Sequence, residues 1–294
     1  MVTGATNTVV RFTKMEGLGN DYVYVNNYAE QVPEEKLPGL SVAVAERHFG
    51  VGSDGLIVIL PPTSAEHDFR FRMFNADGSE GEMCGNGIRC FARYCYDRGL
   101  TTKTRFKVET LAGTIIPEII LDEKGQVSGV RVDMGKPRLQ RSLIPMAGAD
   151  AERVVDEPFE VDGRTYCITT VSMGNPHVMI FVDDVDGVDL AYIGPKIERH
   201  ALFPKRINVH FVQVISASEL KMRTWERGSG ITLACGTGAS AVAVAAHLLG
   251  RTGRSTLVHL PGGDLQIDWD EATGHVFKTG PATYVCDGEF LKGY

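Results

Sequence analysis

Residues 84–87 read Cys-Gly-Asn-Gly, and residues 235–238 read Cys-Gly-Thr-Gly. When the chain is laid over itself so that these two phrases coincide, further identical residues meet without a gap. They are Arg72 with Arg223, Ala92 with Ala243, and Gly99 with Gly250. This internal repeat predicts two copies of one α/β unit, each with a cysteine at a glycine turn. Two such units that face each other would place two thiols on opposite sides of one cleft.

The composition is typical of a globular protein of about two domains. The chain has 294 residues, of which 43% are hydrophobic and 23% are charged. A net charge of −7 without a basic cluster argues against nucleic acid as a partner. No apolar stretch reaches the roughly 18 residues of a membrane span, so we expect no membrane contact. Residues 1–10 lack the charged-then-apolar pattern of a signal peptide, which favours a cytoplasmic protein, or one of the plastid stroma if the source is a photosynthetic eukaryote.

Helical patterns follow both cysteines directly. The run Gly85–Arg98 has apolar residues at helical spacing, and Gly99 suits the left-handed position after a helix. The run Thr237–Leu249 is apolar almost all round, as in a helix buried on every side. Each unit is therefore predicted to wrap a mixed sheet around a central helix that begins at its cysteine. Further helices are expected at Pro33–His48 and Tyr192–Ala201, and strands at 9–15, 22–26, 56–60, 69–74, 105–110, 114–120, 129–134, 165–172, 178–182, 207–215 and 220–225.

The start of a helix gives a cysteine particular chemistry. First-turn N–H groups are unpaired and the helix dipole is positive there, so the position can hold a carboxylate and favours a thiolate. Cys84 and Cys235 are therefore candidate bases or nucleophiles. Asn75 and Glu226 occupy the same position of the repeat, where a strand ends before each cysteine. Glu226 and the adjacent arginine precede a glycine-rich loop, which favours a site role, whereas Asn208 opens a strand and is either a site residue or a cap.

Common cofactor sites fit the sequence poorly. Residues 236–241 match the dinucleotide fingerprint G-x-G-x-x-A. Residues 226–233 are expected to form a long loop before this turn, and no acidic residue follows at about 20 positions, so we reject NAD binding. The six cysteines include no C-x-x-C pair, which argues against a structural metal site. In a chain of this length they are expected to be reduced.

The longer motifs resemble those of the diaminopimelate epimerases, amino-acid epimerases that work without pyridoxal phosphate. The matching segments are Gly17–Asp21, Phe74–Glu80, Met83–Cys90, Gly174–His177, Trp225–Gly228 and Ala234–Gly238. The resemblance implies an α/β (α+β) fold of two pseudo-symmetric halves, with the active site in the cleft between them. It also implies that the last strand returns to the first half. The expected halves are residues 1–130 with 282–294, and residues 131–281.

The resemblance further implies interconversion of LL- and meso-diaminopimelate, in the synthesis of lysine and peptidoglycan precursors. One of Cys84 and Cys235 would remove the α-proton as a thiolate, and the other would deliver a proton to the opposite face, without a cofactor or a metal. Diaminopimelate is then the small-molecule partner, and a homodimer is expected. Thiols close enough to share one carbon would also oxidise to a disulfide, so activity is expected to need a reductant.

The family pattern also assigns the remaining site residues. The reacting end of the substrate is expected to contact Asn20, Asn86, Gly236 and Thr237, with His177 and Glu226 near its amino group. The distal end is expected to contact Asn75, Asn175, Asn208 and Arg227. Gly85 is a further expected substrate-binding residue. One departure from the pattern is Gly55, where some members carry a glutamine that contacts substrate.

Two alternatives stay open at this point. Proline and hydroxyproline racemases use a similar pair of cysteines. They usually have His after the first Cys-Gly and Ser-Pro before the second Cys, where this chain has Asn86 and Leu233-Ala234. A non-catalytic homologue that only binds a dicarboxylic amino acid would need no pair of thiols. Exchange of the α-proton with solvent distinguishes these possibilities.

Overall fold

The computed structural model describes residues 9–148, 153–291 and 293. They form two compact units: the described residues up to Val132 together with those from Gly280 onward, and the residues from Asp133 to Thr279. The boundaries expected from the sequence, after residue 130 and after residue 281, each lie two residues from the boundaries in the structure. None of the described helices is long and apolar enough to cross a membrane.

The first unit is built on a mixed sheet. Its elements begin with β1 (Val10–Gly17), β2 (Asn20–Asn26), α1 (Asn27–Glu30), α2 (Leu37–Ala45), β3 (Gly55–Leu60), β4 (Phe69–Asn75), β5 (Glu80–Gly81), α3 (Gly87–Asp97), β6 (Val108–Thr110), β7 (Gly113–Ile115), β8 (Glu118–Leu121) and β9 (Val127–Asp133). The strand order is β1-β2-β3-β4-β6-β7, with β5 paired to β4, and β8 and β9 form an antiparallel hairpin.

The second unit repeats this arrangement. Its elements are β10 (Glu157–Val161), β11 (Arg164–Ser172), β12 (Pro176–Phe181), α4 (Leu190–Glu198), β13 (Asn208–Ser216), β14 (Glu219–Glu226), β15 (Gly230–Thr232), α5 (Gly236–Leu248), β16 (Ser255–Leu260), β17 (Gly263–Trp269) and β18 (Val276–Gly280). The strand order is β10-β11-β12-β13-β14-β16-β17-β18, with β15 paired to β14. The last strand, β19 (Thr283–Phe290), pairs with β1 of the first unit.

Both sheets follow one order of pairing, as two copies of a unit require. From β1 to β7 successive neighbours pair antiparallel, parallel, antiparallel, parallel and antiparallel. The same alternation runs from β11 to β17. Helices connect each parallel pair, because parallel strands need a crossover. The predicted pseudo-symmetry is confirmed, and β4, β5 and α3 are equivalent to β14, β15 and α5.

The two central helices are buried as their sequences predict. In α3 the apolar positions Ile88, Phe91 and Cys95 are fully enclosed. In α5 every residue from Gly238 to Ala246 is buried, because small side chains let strands pack on all its sides. Both helices end at a glycine with positive φ, 70° at Gly99 and 67° at Gly250. The next N–H in each case bonds back five residues, so both ends are Schellman caps.

Two expectations about secondary structure are wrong, for identifiable reasons. Residues 114–120 form two strands, β7 and β8, because Pro117 lies between them and has no N–H for a ladder. Residues 226–233 are not a plain loop, since β15 folds back antiparallel onto β14. Helix α3 is assigned from Gly87, three residues after Cys84. The Cys84 carbonyl nevertheless accepts the N–H of Ile88, so the first helical bond does begin at the cysteine.

Candidate active site

Strand registers show which site residues of the two units are equivalent. Across β2, β3 and β4 the adjacent residues are Val23, Leu56 and Phe74. Across β12, β13 and β14 they are Val178, Val209 and Trp225. Phe74 and Trp225 occupy the same position of the sequence repeat, so β2 and β3 correspond to β12 and β13. Three residues before Val23 and Val178 come Asn20, the first residue of β2, and Asn175, the residue just before β12, which therefore occupy equivalent positions.

Cys84 lies in the turn just before α3, and polar groups of the first unit surround its sulfur. The thiol donates to Asn20 Oδ1 over 3.3 Å and accepts the backbone N–H of Gly87 over 3.4 Å. The Tyr22 hydroxyl is a third hydrogen-bonding neighbour. Burial, and then the charge that Cys84 would carry, raise the pKa of Tyr22. Tyr22 therefore stays protonated and can donate to a thiolate.

The amides beside this thiol have fixed orientations. Asn20 Nδ2 donates to Asp54 Oδ2 over 2.7 Å, which turns its oxygen toward the sulfur. The buried Arg89 donates to Asn86 Oδ1 over 2.9 Å and to the Gly85 carbonyl over 3.2 Å. A carboxylate only accepts and a guanidinium only donates, so neither amide can flip without losing its partner.

Cys235 is the N-cap residue of α5, and only 4% of its surface is exposed. Its sulfur lies 3.7 Å from Thr237 Oγ1 and hydrogen-bonds the Gly238 N–H and the Glu226 carboxylate. Glu226 is held by the Thr232 hydroxyl over 2.6 Å. Burial, with the Glu226 charge next in size, raises the pKa of Cys235 from 9.0 to about 12. The expectation that the helix start favours a thiolate is therefore wrong for Cys235, since desolvation and a neighbouring anion outweigh the dipole.

Buried and half-buried polar side chains continue from Cys235 across β12, β13 and β14. Thr237 Oγ1 accepts from Asn175 Nδ2 over 3.2 Å. Asn175 Oδ1 lies 2.9 Å from His177 Nε2, and His177 Nδ1 lies 2.8 Å from His210 Nε2. His210 Nδ1 in turn lies 2.9 Å from Thr224 Oγ1. The sequence predicts three of these residues and misses His210 and Thr224.

Both imidazoles of this group are uncharged at neutral pH. Burial lowers the pKa of His210 from 6.5 to about 3. Burial also lowers the pKa of His177 well below 6.5, and the nearby His210 and Arg227 add to the effect. Each ring therefore has one N–H and one lone pair.

The same two histidines and Cys235 offer ligand atoms within 4.8 Å of one another, among the residues that the structure describes. The His177 and His210 nitrogens are 2.8 Å apart, which is a hydrogen-bond distance. Two nitrogens bound to one tetrahedral zinc at about 2.0 Å would lie roughly 3.3 Å apart. The arrangement in this structure is therefore a hydrogen-bonded group.

Asn208 and Arg227 lie together at the end of β14. The Asn208 amide donates to the Pro176 carbonyl over 3.0 Å and accepts the Arg227 N–H over 2.9 Å. One guanidinium nitrogen donates to the Lys205 carbonyl over 3.0 Å. Other N–H groups of the exposed arginine are left for a carboxylate. Asn208 therefore positions Arg227 through its backbone.

Asn75 differs from its equivalent in the second unit. Glu226 contacts Cys235, whereas Asn75 Nδ2 donates to Ser79 Oγ over 2.9 Å within the turn between β4 and β5. The described contacts of Asn75 therefore join it to that turn and not to Cys84.

Three glycines of the site lie where an added Cβ would come very close to a neighbouring atom. A Cβ at Gly236 would lie 2.3 Å from Lys278 Nζ, and one at Gly238 would lie 2.4 Å from His210 Cε1. A Cβ at Gly55 would lie 2.1 Å from the Phe74 carbonyl oxygen. A glutamine at Gly55 is thus incompatible with this backbone, and strand register makes Gly55 the equivalent of Asn208.

The site residues that the sequence does not predict follow a simple spacing. Tyr22 stands two residues after Asn20, and His210 stands two residues after Asn208. Side chains two apart in a strand share a face, so each missed residue lies on the face of a predicted one. Thr224 obeys the same rule relative to Glu226. This period of two is the signal that would have found them.

Comparison with known proteins agrees with this geometry. The diaminopimelate epimerase family model matches residues 12–140 and 169–285. The diaminopimelate epimerase of Moorella thermoacetica is 56% identical over 281 residues, covering 96% of this chain and 99% of the relative. That of Pelotomaculum thermopropionicum is 55% identical with the same coverage. The chain belongs to the diaminopimelate epimerase family.

More distant solved structures share the fold of this epimerase family. A PhzF-family phenazine biosynthesis protein from Bacillus anthracis superposes with a TM-score of 0.68 at 17% identity, covering 97% of this chain and 99% of its own. A hydroxyproline epimerase from Agrobacterium vitis gives a TM-score of 0.65 at 14% identity, covering 97% and 93%. At these identities the likeness concerns the fold alone.

Proposed function

We propose that the protein epimerises LL-diaminopimelate to meso-diaminopimelate, in the synthesis of lysine, through Cys84 and Cys235. The observation that carries this proposal is the equivalence of the two thiols. Each lies at the first turn of a buried central helix and accepts the N–H three residues later, from Gly87 and Gly238. Membership in the diaminopimelate epimerase family supports the choice of substrate.

Inversion at a carbon requires a base on one face and an acid on the other. Cys235 has a pKa of about 12, so it enters the reaction as the protonated acid. Cys84 is then the base, and Tyr22 and Gly87 stabilise its thiolate by hydrogen bonds. A substrate ammonium beside Glu226 would neutralise that carboxylate and lower the pKa of Cys235, which allows its proton to leave.

The other residues of the proposed site bind the two ends of the substrate. At the reacting end they are Asn20, Gly85, Asn86, Gly236 and Thr237, with His177 beside them. At the distal end they are Asn75, Asn175, Asn208 and Arg227, of which Asn175 also bonds Thr237. Main-chain N–H groups of the helix starts are suited to the charge that develops on the α-carboxylate.

The test is solvent exchange during turnover. LL-diaminopimelate in D₂O is expected to gain deuterium at one α-carbon, and Cys84→Ser and Cys235→Ser are each expected to lose activity by about 100-fold or more. Cys286→Ser is the matched control, because that thiol is exposed and distant in the sequence from both motifs. Full turnover by either site variant would contradict the two-thiol mechanism. Exchange on proline but not on diaminopimelate would favour a proline racemase. Exchange on neither amino acid would favour a binding protein.

The proposal extends to the cytoplasm as the location and a homodimer as the assembly. The location rests on the reduced state that is expected of the cysteines in a chain of this length. The dimer rests on the resemblance to the family. Native mass spectrometry would test it, and a monomer at micromolar concentration would contradict it.

A further inference from the structure

The chain of hydrogen bonds beside Cys235 can run in either of two directions, and the orientation of the Asn175 amide selects one of them. Asn175 provides the starting point, because its nitrogen faces Thr237 and its oxygen faces His177. A carbonyl oxygen only accepts, so Nε2 of His177 carries the proton. The ring is neutral, and Nδ1 of His177 is therefore a lone pair. His210 Nε2, at 2.8 Å, must donate to it.

The same reasoning extends to both ends of the chain of hydrogen bonds. His210 donates through Nε2, so its Nδ1 is a lone pair that accepts the Thr224 hydroxyl proton over 2.9 Å. At the other end, Thr237 Oγ1 already accepts from Asn175, so its own proton points elsewhere. Among the described residues, the Cys235 sulfur lies within reach of this proton, 3.7 Å from Thr237 Oγ1. The donors thus run head to tail from Thr224 to the thiol.

Glu226 supports this direction at the thiol end, because its carboxylate is a hydrogen-bonding neighbour of Cys235. A carboxylate only accepts, so the Cys235 S–H donates to it, and the sulfur lone pairs remain for another donor. The reverse arrangement would turn the Thr237 proton back toward Asn175 and leave the sulfur without that donor. Buried lone pairs that face each other incur their full desolvation cost, so the bonds change direction together or not at all.

We propose that His210 and Thr224 are positioning residues that hold His177 in its Nε2–H form and thereby aim the Thr237 hydroxyl at the Cys235 sulfur. No described hydrogen bond joins either residue to the thiol, although a His210 ring nitrogen lies within 4.8 Å of the Cys235 sulfur. Through these bonds the Thr237 hydroxyl is already oriented toward the Cys235 sulfur, which gains negative charge when Cys235 gives up its proton. The hydroxyl therefore needs no reorganisation during the reaction. The catalytic consequence rests on the proposed epimerisation, whereas the proton positions do not.

Nuclear magnetic resonance of ¹⁵N-histidine-labelled protein tests the proton positions directly. Two-bond ¹H–¹⁵N correlations distinguish Nε2–H, Nδ1–H and doubly protonated rings. We expect both His177 and His210 to be neutral Nε2–H tautomers at pH 7. A proton on Nδ1 of His177, or on both of its nitrogens, would overturn the proposal.

Two variants of similar shape test the consequence. His210→Gln keeps an N–H donor toward His177 and an acceptor toward Thr224, whereas His210→Met offers only a weak acceptor. We expect the Gln variant to retain the Nε2–H form and most of kcat. The Met variant should lose the single tautomer and about tenfold in kcat.

A Met variant that keeps both the tautomer and the wild-type kcat would refute the positioning role. If the Gln variant does not fold, the wild-type spectrum still decides the proton positions. A wild-type protein that fails to exchange the α-proton of diaminopimelate would count against the proposed function, and its tautomers would still be measured.

Discussion

Replacing Glu226 by glutamine should make Cys235 more acidic. Burial and the Glu226 charge together raise the pKa of Cys235 to about 12, so at about pH 8 roughly one molecule in ten thousand holds a thiolate there. Glu226→Gln removes the anion, keeps an oxygen for the Thr232 hydroxyl, and can turn an N–H toward the sulfur. Both changes favour the thiolate, and we expect the pKa to fall by about one pH unit or more.

The assay is the rate at which iodoacetamide alkylates each cysteine, followed by peptide mass spectrometry. Because only thiolates react, Cys235 should be alkylated about tenfold faster in Glu226→Gln than in the wild type. Cys84 in the same sample is the internal reference. Glu219→Gln is the matched control, since Glu219 lies at the opposite end of β14 and is also half-buried. Equal or slower alkylation of Cys235 in the Glu226 variant would refute the assignment of its high pKa to that carboxylate.

Two further predictions concern stability. Burial raises the pKa of Cys90 and Cys235 from 9.0 to about 12, so these thiols stay protonated in the folded state while the unfolded chain ionises. The two neutral thiols therefore make their full contribution to the free energy of unfolding below pH 9. Above pH 9 this contribution falls by about 1.4 kcal/mol per thiol per pH unit. Urea unfolding at pH 8 and pH 10 would measure the loss. Gly238→Ala should destabilise by about 1–3 kcal/mol, because a Cβ 2.4 Å from His210 outweighs the gain in helix propensity. Gly253→Ala, with no atom within 4 Å of its Cβ, should be neutral, and equal effects of the two substitutions would contradict the packing argument.

The repeat in the sequence predicts much of the fold because it combines several local signals. The all-round apolar pattern of 237–249, the glycine after each helix and the Cys-Gly turns each restrict the backbone. Strands β16 and β17 are absent from the predicted strands, yet their buried and exposed residues alternate, so a period of two also indicates them. Pro158 lies in β10, at the edge of its sheet, where a missing N–H is tolerated, so a proline does not by itself exclude a strand.

The properties of the thiols depend on three-dimensional surroundings that local sequence does not encode. A cysteine at a helix start is expected to be acidic, and Cys235 is the opposite because α5 is enclosed and Glu226 folds back onto it through the turn to β15. His210 was equally hidden, since its partners come from neighbouring strands. Pairwise register, and not composition, decides such contacts.

The pairing of β19 with β1 has a consequence for biosynthesis. Residues 10–16 of β1 take their partners from residues 283–290, so the ribosome makes the whole of Asp133–Thr279 before that partner strand exists. The unit that is begun first is therefore finished last, and until then β1 presents an open edge to other chains. A premature stop codon just after Gly280 would leave the strands of the second unit complete. It would remove β19, however, and so leave β1 of the first unit without its partner strand.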